Sequence, residues 1–283
     1  MRFITYSHAG RVQPGIVIDE AVVSLAHIGA SLLSLIQMGP QAIVEARKVI
    51  AGNAGRIPLA QVTLLAPIPR PAKNIICVGR NYAEHAEEFA RTRSEPAGPP
   101  TIFTKAPTTV NSPFGDILAD PDVSAEVDWE VELAVIIGKP GRKISRAEAL
   151  DHVFGYTVLN DVTARDLQHR TSQWHIGKSV DGYCPMGPWI VTRDEIPDPQ
   201  NLNLTSRVNG VVKQQGNTRD MLYDVGTIIE NVSRVMTLEP GDIIATGTPS
   251  GVGFARKPPE YLRPGDVVES EVEKIGTMRN KVV

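Results

Sequence analysis

The chain has 283 residues, 42% hydrophobic and 22% charged, the composition of an ordinary globular protein that folds without disulfides or structural metal. Its formal net charge of −3 leaves no electrostatic case for a nucleic acid or an anionic membrane as partner. The two cysteines, Cys77 and Cys184, are too few and too far apart for a disulfide framework or a zinc–thiolate site. The first residues carry no signal-type apolar core and no apolar run approaches bilayer length, so the expected setting is the reducing cytoplasm.

Residues 1–66 read as a small N-terminal α/β domain. Phe3–Tyr6, Gly15–Asp19 and Ala21–Leu25 are short strand signals. The amphipathic stretches Leu32–Met38 and Gln41–Ala51 follow, divided by Gly39-Pro40, which stops one helix and starts the next. Pro67-Ile68-Pro69-Arg70-Pro71 is a stiff joint, placing a second domain over residues 72–283. There Asn74–Val78 reads as a buried strand and Asn81–Arg93 as a helix, followed by the irregular run Ser94–Pro100. Further strand signals are Thr101–Thr104, Val127–Ile137, Phe154–Leu159, Trp189–Thr192, Leu202–Val208 and Val211–Lys213. Asn209-Gly210 predicts a type I′ hairpin. Leu238-Glu239-Pro240-Gly241-Asp242 is echoed by Leu262-Arg263-Pro264-Gly265-Asp266, one turn chemistry used twice.

Four constellations carry candidate chemistry. In Val127–Ile137, Glu126, Asp128, Glu130 and Glu132 alternate with apolar residues and would share one strand face. For Glu126 and Asp128 a solvated edge explains this. Glu132 enters the apolar run Leu133–Ile137, where two carboxylates about 6 Å apart repel by roughly 3 kcal/mol unless a cation, a proton or an arginine intervenes. Asp161, after the Phe154–Leu159 strand, is either a helix N-cap or a third oxygen ligand. An all-carboxylate set would suit Mg²⁺ or Mn²⁺. His85 and Glu88, three apart, are an exposed polar face or a general base with its orienting partner; the other histidines have no such context. Lys178, in Gly177-Lys178-Ser179, is a solvated charge or the counter-charge to the acids. The glycine-rich Thr246–Gly253 stretch is not a Walker loop. It is an anion-binding loop or a plain turn.

Together, Gly79-Arg80-Asn81-Tyr82 with His85 and Glu88, Phe103–Pro107, Glu130–Leu133, Asn160–Gln168, Gly177–Ser179 and Thr246–Gly253 resemble the fumarylacetoacetate hydrolase superfamily, in order over about residues 70–283. The resemblance implies a β-rich α+β fold, with a mixed β-sandwich or β-roll catalytic domain. It implies Mg²⁺ or Mn²⁺ at Glu130, Glu132 and Asp161, and a lid over residues 82–98 carrying His85 and Glu88. It further implies a catalytic role for Lys178, substrate contacts from Arg80, Lys105, Gln168 and Thr248, and a homodimer. Eukaryotic fumarylacetoacetate hydrolases have a fourth carboxylate where this chain has Cys77-Val78-Gly79-Arg80. The chain looks more like the branch of acylpyruvate hydrolases, oxaloacetate decarboxylases and 2-hydroxydienoate isomerases. The expected activity is metal-dependent C–C hydrolysis of an acylpyruvate or related diketo acid. Decarboxylation or isomerisation on the same site is the alternative, and a silent oxo-acid-binding relative is the reading of another class.

Overall fold

Apolar alternation along the chain closes into one long, mostly antiparallel sheet. A computed structural model describes residues 1–52, 55–84, 87 and 101–283. The sheet runs Arg56–Pro58, Ala21–Ser24, Arg11–Ile18, Arg2–His8, Cys184–Thr192, Val153–Asn160, Val131–Ile137, Ile243–Ala245, Ile75–Gly79, Thr101–Lys105. Ile243–Ala245 runs parallel to Ile75–Gly79. A separate antiparallel sheet is ordered Val211–Asn217, Asn203–Val208, Val267–Val272, Gly276–Lys281. Architecture is therefore β-rich with few helices, as expected.

The strand Val131–Ile137 is buried along its whole length. Val131, Leu133, Val135 and Ile137 pack into a core with Leu204, Val272 and Met278 of the smaller sheet and with Ile228, Ile229 and Val232 of the helix Val225–Val235. Ala134 and Ile136 enter the opposite core, against Leu32, Leu35, Ile36, Ala42 and Ala46 of the two N-terminal helices. Side chains of period two must divide this way, and burial on both faces is why the run reads as continuously apolar. Each large aliphatic side chain so buried contributes about 1.5–3 kcal/mol, which locks the phase of the strand. The strands of residues 1–66 extend the same sheet, because Arg2 and Phe3 pair with Val191 and Ile190. Ala66 and Ile68, on either side of Pro67, are buried in the second core.

Local chemistry accounts for the turns. Asn209 and Gly210 have φ of 52° and 78°, the left-handed pair that a type I′ turn requires. In the echoed turns, Asp242 accepts the Glu239 N–H at 2.8 Å and Asp266 accepts the Arg263 N–H at 2.7 Å.

Two expectations need correction. The strand signal Val127–Ile137 is broken into Val127–Asp128 and Val131–Ile137, and the first piece pairs with Thr163–Ala164 in its own ribbon. Asp128 is consequently not on a solvated edge but fully buried. The helix after Asn160 begins only at Arg165, with Ala164 as its N-cap, so Asp161 caps nothing. Most of Asn81–Arg93 and all of Ser94–Pro100, with His85 and Glu88, lie outside the described residues. Among the described residues no helix is long and apolar enough to cross a membrane.

Candidate active site

Glu132 shares the strand face of Ala134 and Ile136, and strand pairing brings it two companions. Val131 is opposite Asn160, so the residue before one strand and the residue after the other, Glu130 and Asp161, become neighbours. The Asp161 N–H donates to Glu130 O at 2.8 Å, and the Glu130 N–H donates to Asn160 Oδ1 at 2.9 Å. Glu130, Glu132 and Asp161 are all buried and offer oxygens within 4.8 Å of one another.

Buried carboxylates need compensation. Lys178 Nζ donates to Glu130 Oε2 at 2.9 Å and Asp161 Oδ2 at 2.7 Å. Lys105 Nζ, also buried, donates to Asp161 Oδ1 at 2.7 Å and Val162 O at 3.0 Å. Arg165 pairs with Glu130 at 2.7 Å and with Asp128 at 2.8 Å. Burial is the largest influence on Lys178 and opposes its charge. Asp161 and Glu130 overcome it and raise its pKa, so the ammonium keeps its proton.

Glu132 is treated differently. Its Oε2 accepts the Gly247 N–H at 2.7 Å, and it has no ion pair among the described residues. Burial first, then the charges of Asp161 and Glu130, push its pKa well above the usual carboxylate range. Four buried carboxylates (Asp128, Glu130, Glu132, Asp161) thus face three buried cations (Lys105, Arg165, Lys178). A fourth carboxyl group with no cation of its own among the described residues, in an all-oxygen donor set, fits a hard divalent cation, which would favour its ionised form. Gly247 is obligatory beside it: its φ is +100°, and a Cβ there would lie 2.8 Å from Asn81 Cβ and 2.9 Å from Val78 O.

A cleft of about 330 Å³, including its open mouth, reaches the acids. Arg80, Gln168, Lys178 and Thr248 line it together with Glu130 and Glu132, and Phe103 and Trp174 form apolar walls. Arg80 has φ of 60°, and its guanidinium lies 5.7 Å from the Trp174 ring centroid. Thr248 Oγ1 donates to Val131 O at 2.8 Å and accepts from Gln214 Nε2 at 2.7 Å. Lys105 and Asp161 are not among the residues lining the cleft. The structure therefore assembles eight of the ten candidate residues, the other two being His85 and Glu88.

Sequence reasoning missed three buried polar anchors. Asp128 is held by the glycine-rich loop. Asn81 bridges Thr246 O and the Tyr223 backbone. Gln214 accepts the Val131 N–H at 3.0 Å and donates to Thr248 and to Pro249 O. Gln214 sits in an ordinary-looking strand, and no local signal marks it. His175, left without a context, places Nδ1 2.9 Å from Thr104 O.

The model for the fumarylacetoacetate (FAA) hydrolase C-terminal domain matches residues 74–283. The chain belongs to the fumarylacetoacetate hydrolase family. It is 42% identical over 302 residues to oxaloacetate tautomerase YisK of Bacillus subtilis (strain 168), covering 100% of both chains. The fumarylacetoacetate hydrolase EaFAH from psychrophilic Exiguobacterium antarcticum superposes with a TM-score of 0.89 at 44% identity, over 100% of this chain and 99% of that one. Maleylpyruvate hydrolase from Sphingobium sp. SYK-6, in complex with manganese(II) and pyruvate, gives 0.82 at 32% identity, over 100% and 99%. The 2-hydroxyhepta-2,4-diene-1,7-dioate isomerase from Mycobacterium marinum gives 0.78 at 35%, over 100% and 98%. The fold is thus that of the family, whose members bear the names of a tautomerase, hydrolases and an isomerase.

Proposed function

We propose that this chain is a divalent-metal-dependent enzyme that interconverts the enol and keto forms of oxaloacetate or a closely related 2-oxo diacid. The observation that carries the reading is the buried Glu130–Glu132–Asp161 cluster, whose oxygens lie within 4.8 Å of one another beside a cleft rimmed by Arg80, Gln168 and Lys178. Full-length similarity to an oxaloacetate tautomerase supports the choice of substrate.

Glu130, Glu132 and Asp161 would hold Mg²⁺ or Mn²⁺, and the bound ion would supply Lewis-acid polarisation of the 2-oxo group. Lys178, held protonated, presents an ammonium where negative charge develops on substrate oxygen. Arg80 and Gln168 donate to substrate carboxylate and fix its orientation. Phe103 and Trp174 keep bulk water from the reacting carbon. Tautomerisation moves one proton off C3 and delivers one to the 2-oxo oxygen, and needs no attacking water.

Hydrolysis of an acylpyruvate, the activity favoured from sequence alone, needs an activated water besides. His85 oriented by Glu88 is the pair assigned to it, and the similarity to a maleylpyruvate hydrolase supports this second reading. We propose a homodimer in solution, to be checked by light scattering.

The test follows the enol absorbance of oxaloacetate, and separately acylpyruvate cleavage, with Mn²⁺. Wild-type protein should accelerate enol loss beyond the metal-only control, and Glu132→Ala should abolish this. His85→Ala should lower any acylpyruvate cleavage by about 10²–10⁴-fold and affect tautomerisation less. Acylpyruvate cleavage with no acceleration of enol loss would replace the first reading by the second.

A further inference from the structure

Asp128 accepts from five donors, yet no step of the reaction uses it. It is fully buried. Oδ1 accepts the N–H groups of Trp129 at 2.8 Å and Gly253 at 2.7 Å. Oδ2 accepts the Phe254 N–H at 3.0 Å and Arg165 Nε at 2.8 Å. Five donors, counting the second Arg165 nitrogen at 2.8 Å, leave it no free direction in which to ligate an ion.

Arg165 carries that anchoring onward. Its guanidinium reaches Glu130 Oε1 at 2.7 Å and Gln168 Oε1 at 3.0 Å, and lies 4.4 Å from the Phe254 ring centroid. Two carboxylates, the Gln168 amide oxygen and the Phe254 ring thus all border the guanidinium. Without Asp128, the Arg165 charge would have Glu130 as its one carboxylate partner and would compete with a metal for that oxygen.

We infer that Asp128 is a positioning residue: by holding Arg165 against the Gly253–Phe254 end of the glycine-rich loop, it sets how strongly Glu130 is available to a divalent ion. The Gly253–Phe254 end of the loop, Arg165 and Glu130 then act as one unit beside the acid cluster. This rests on the proposal that Glu130 and Glu132 are ligands.

The experiment is calorimetric titration of the metal-stripped protein with Mn²⁺ alone, for wild type, Glu132→Gln, Asp128→Asn and Arg165→Lys, with thermal melting of each. Outer partners of metal ligands typically affect affinity by about 10–100-fold. Asp128→Asn should weaken Mn²⁺ binding within that range while the protein still melts cooperatively. Should Asp128→Asn fail to fold, Arg165→Lys reports instead, because a compact ammonium cannot bridge Asp128, Glu130 and Gln168 together. It should weaken binding likewise. Wild-type affinity in whichever of these two variants folds, alongside weakened binding in Glu132→Gln, overturns the role of Asp128. Wild-type affinity in Glu132→Gln overturns the ligand assignment itself.

Discussion

Lys105 and Gly247 show how much of the site depends on single atoms. Lys105 is implied by family resemblance to contact substrate, but its ammonium is spent on Asp161 and Val162 O inside the protein. Removing one partner of a buried pair typically costs about 3–5 kcal/mol. Lys105→Met should therefore lower the urea midpoint substantially. Unchanged stability with a raised KM would instead place Lys105 on the substrate. At Gly247 any side chain meets a positive φ and two close neighbours. Such backbone strain costs about 1–3 kcal/mol, and relieving it would swing the N–H away from Glu132. Gly247→Ala should lose Mn²⁺ affinity in a titration, and retention of wild-type affinity would mean that this N–H does not orient Glu132.

The helix Val225–Val235 illustrates the same economy one level up. It packs Ile228, Ile229 and Val232 beneath the strand Val131–Ile137, and its N-cap Asp224 accepts the Thr227 N–H at 2.7 Å. The hydrogen bond from Arg146, with Nε 3.1 Å from Oδ2, leads the influences that lower the Asp224 pKa from 3.8 to about 2. A depressed folded-state pKa gives stability that is complete above the unfolded value and is lost as pH falls through the folded one. The window is thus from about pH 4 down to about pH 2. Because Arg146 is exposed, solvent screening holds the contribution to roughly 1 kcal/mol. Asp224→Asn keeps the cap but not the charge. Its stability in urea should therefore decline less than that of wild type across this window, and parallel declines would exclude the pair as the cause.

At the scale of the whole molecule, the proline-rich joint and the shared sheet make different demands. The joint divides residues 1–66 from residues 72–283, and Arg2–His8 of the first pairs with Cys184–Thr192 of the second. The N-terminal helices also cover Ala134, Ile136, Leu159 and Ile190. A fragment of residues 72–283 would bare that apolar face and leave a strand edge unpaired, which invites association. It should bind a hydrophobic dye and sediment as aggregates. A monodisperse fragment with the wild-type melting temperature would establish the second domain as self-sufficient.

What the sequence determined by itself was whatever depends on near neighbours. The Asn209-Gly210 hairpin, the two Pro-Gly-Asp turns and the buried run Leu133–Ile137 follow from backbone preference and apolar patterning. The motifs that identify the family were legible for the same reason, as short runs of fixed spacing. Tertiary structure decided which acid does what. Asp128 and Glu132 look alike in an alternating strand. Pairing of Val127–Asp128 with Thr163–Ala164 breaks the strand between them, surrounding one with N–H donors and an arginine and leaving the other with one N–H. Likewise Lys105 meets Asp161 across 56 residues of chain and Lys178 meets it across 17. Burial and charge compensation are sums over such distant neighbours, so they exist only once the sheets have packed.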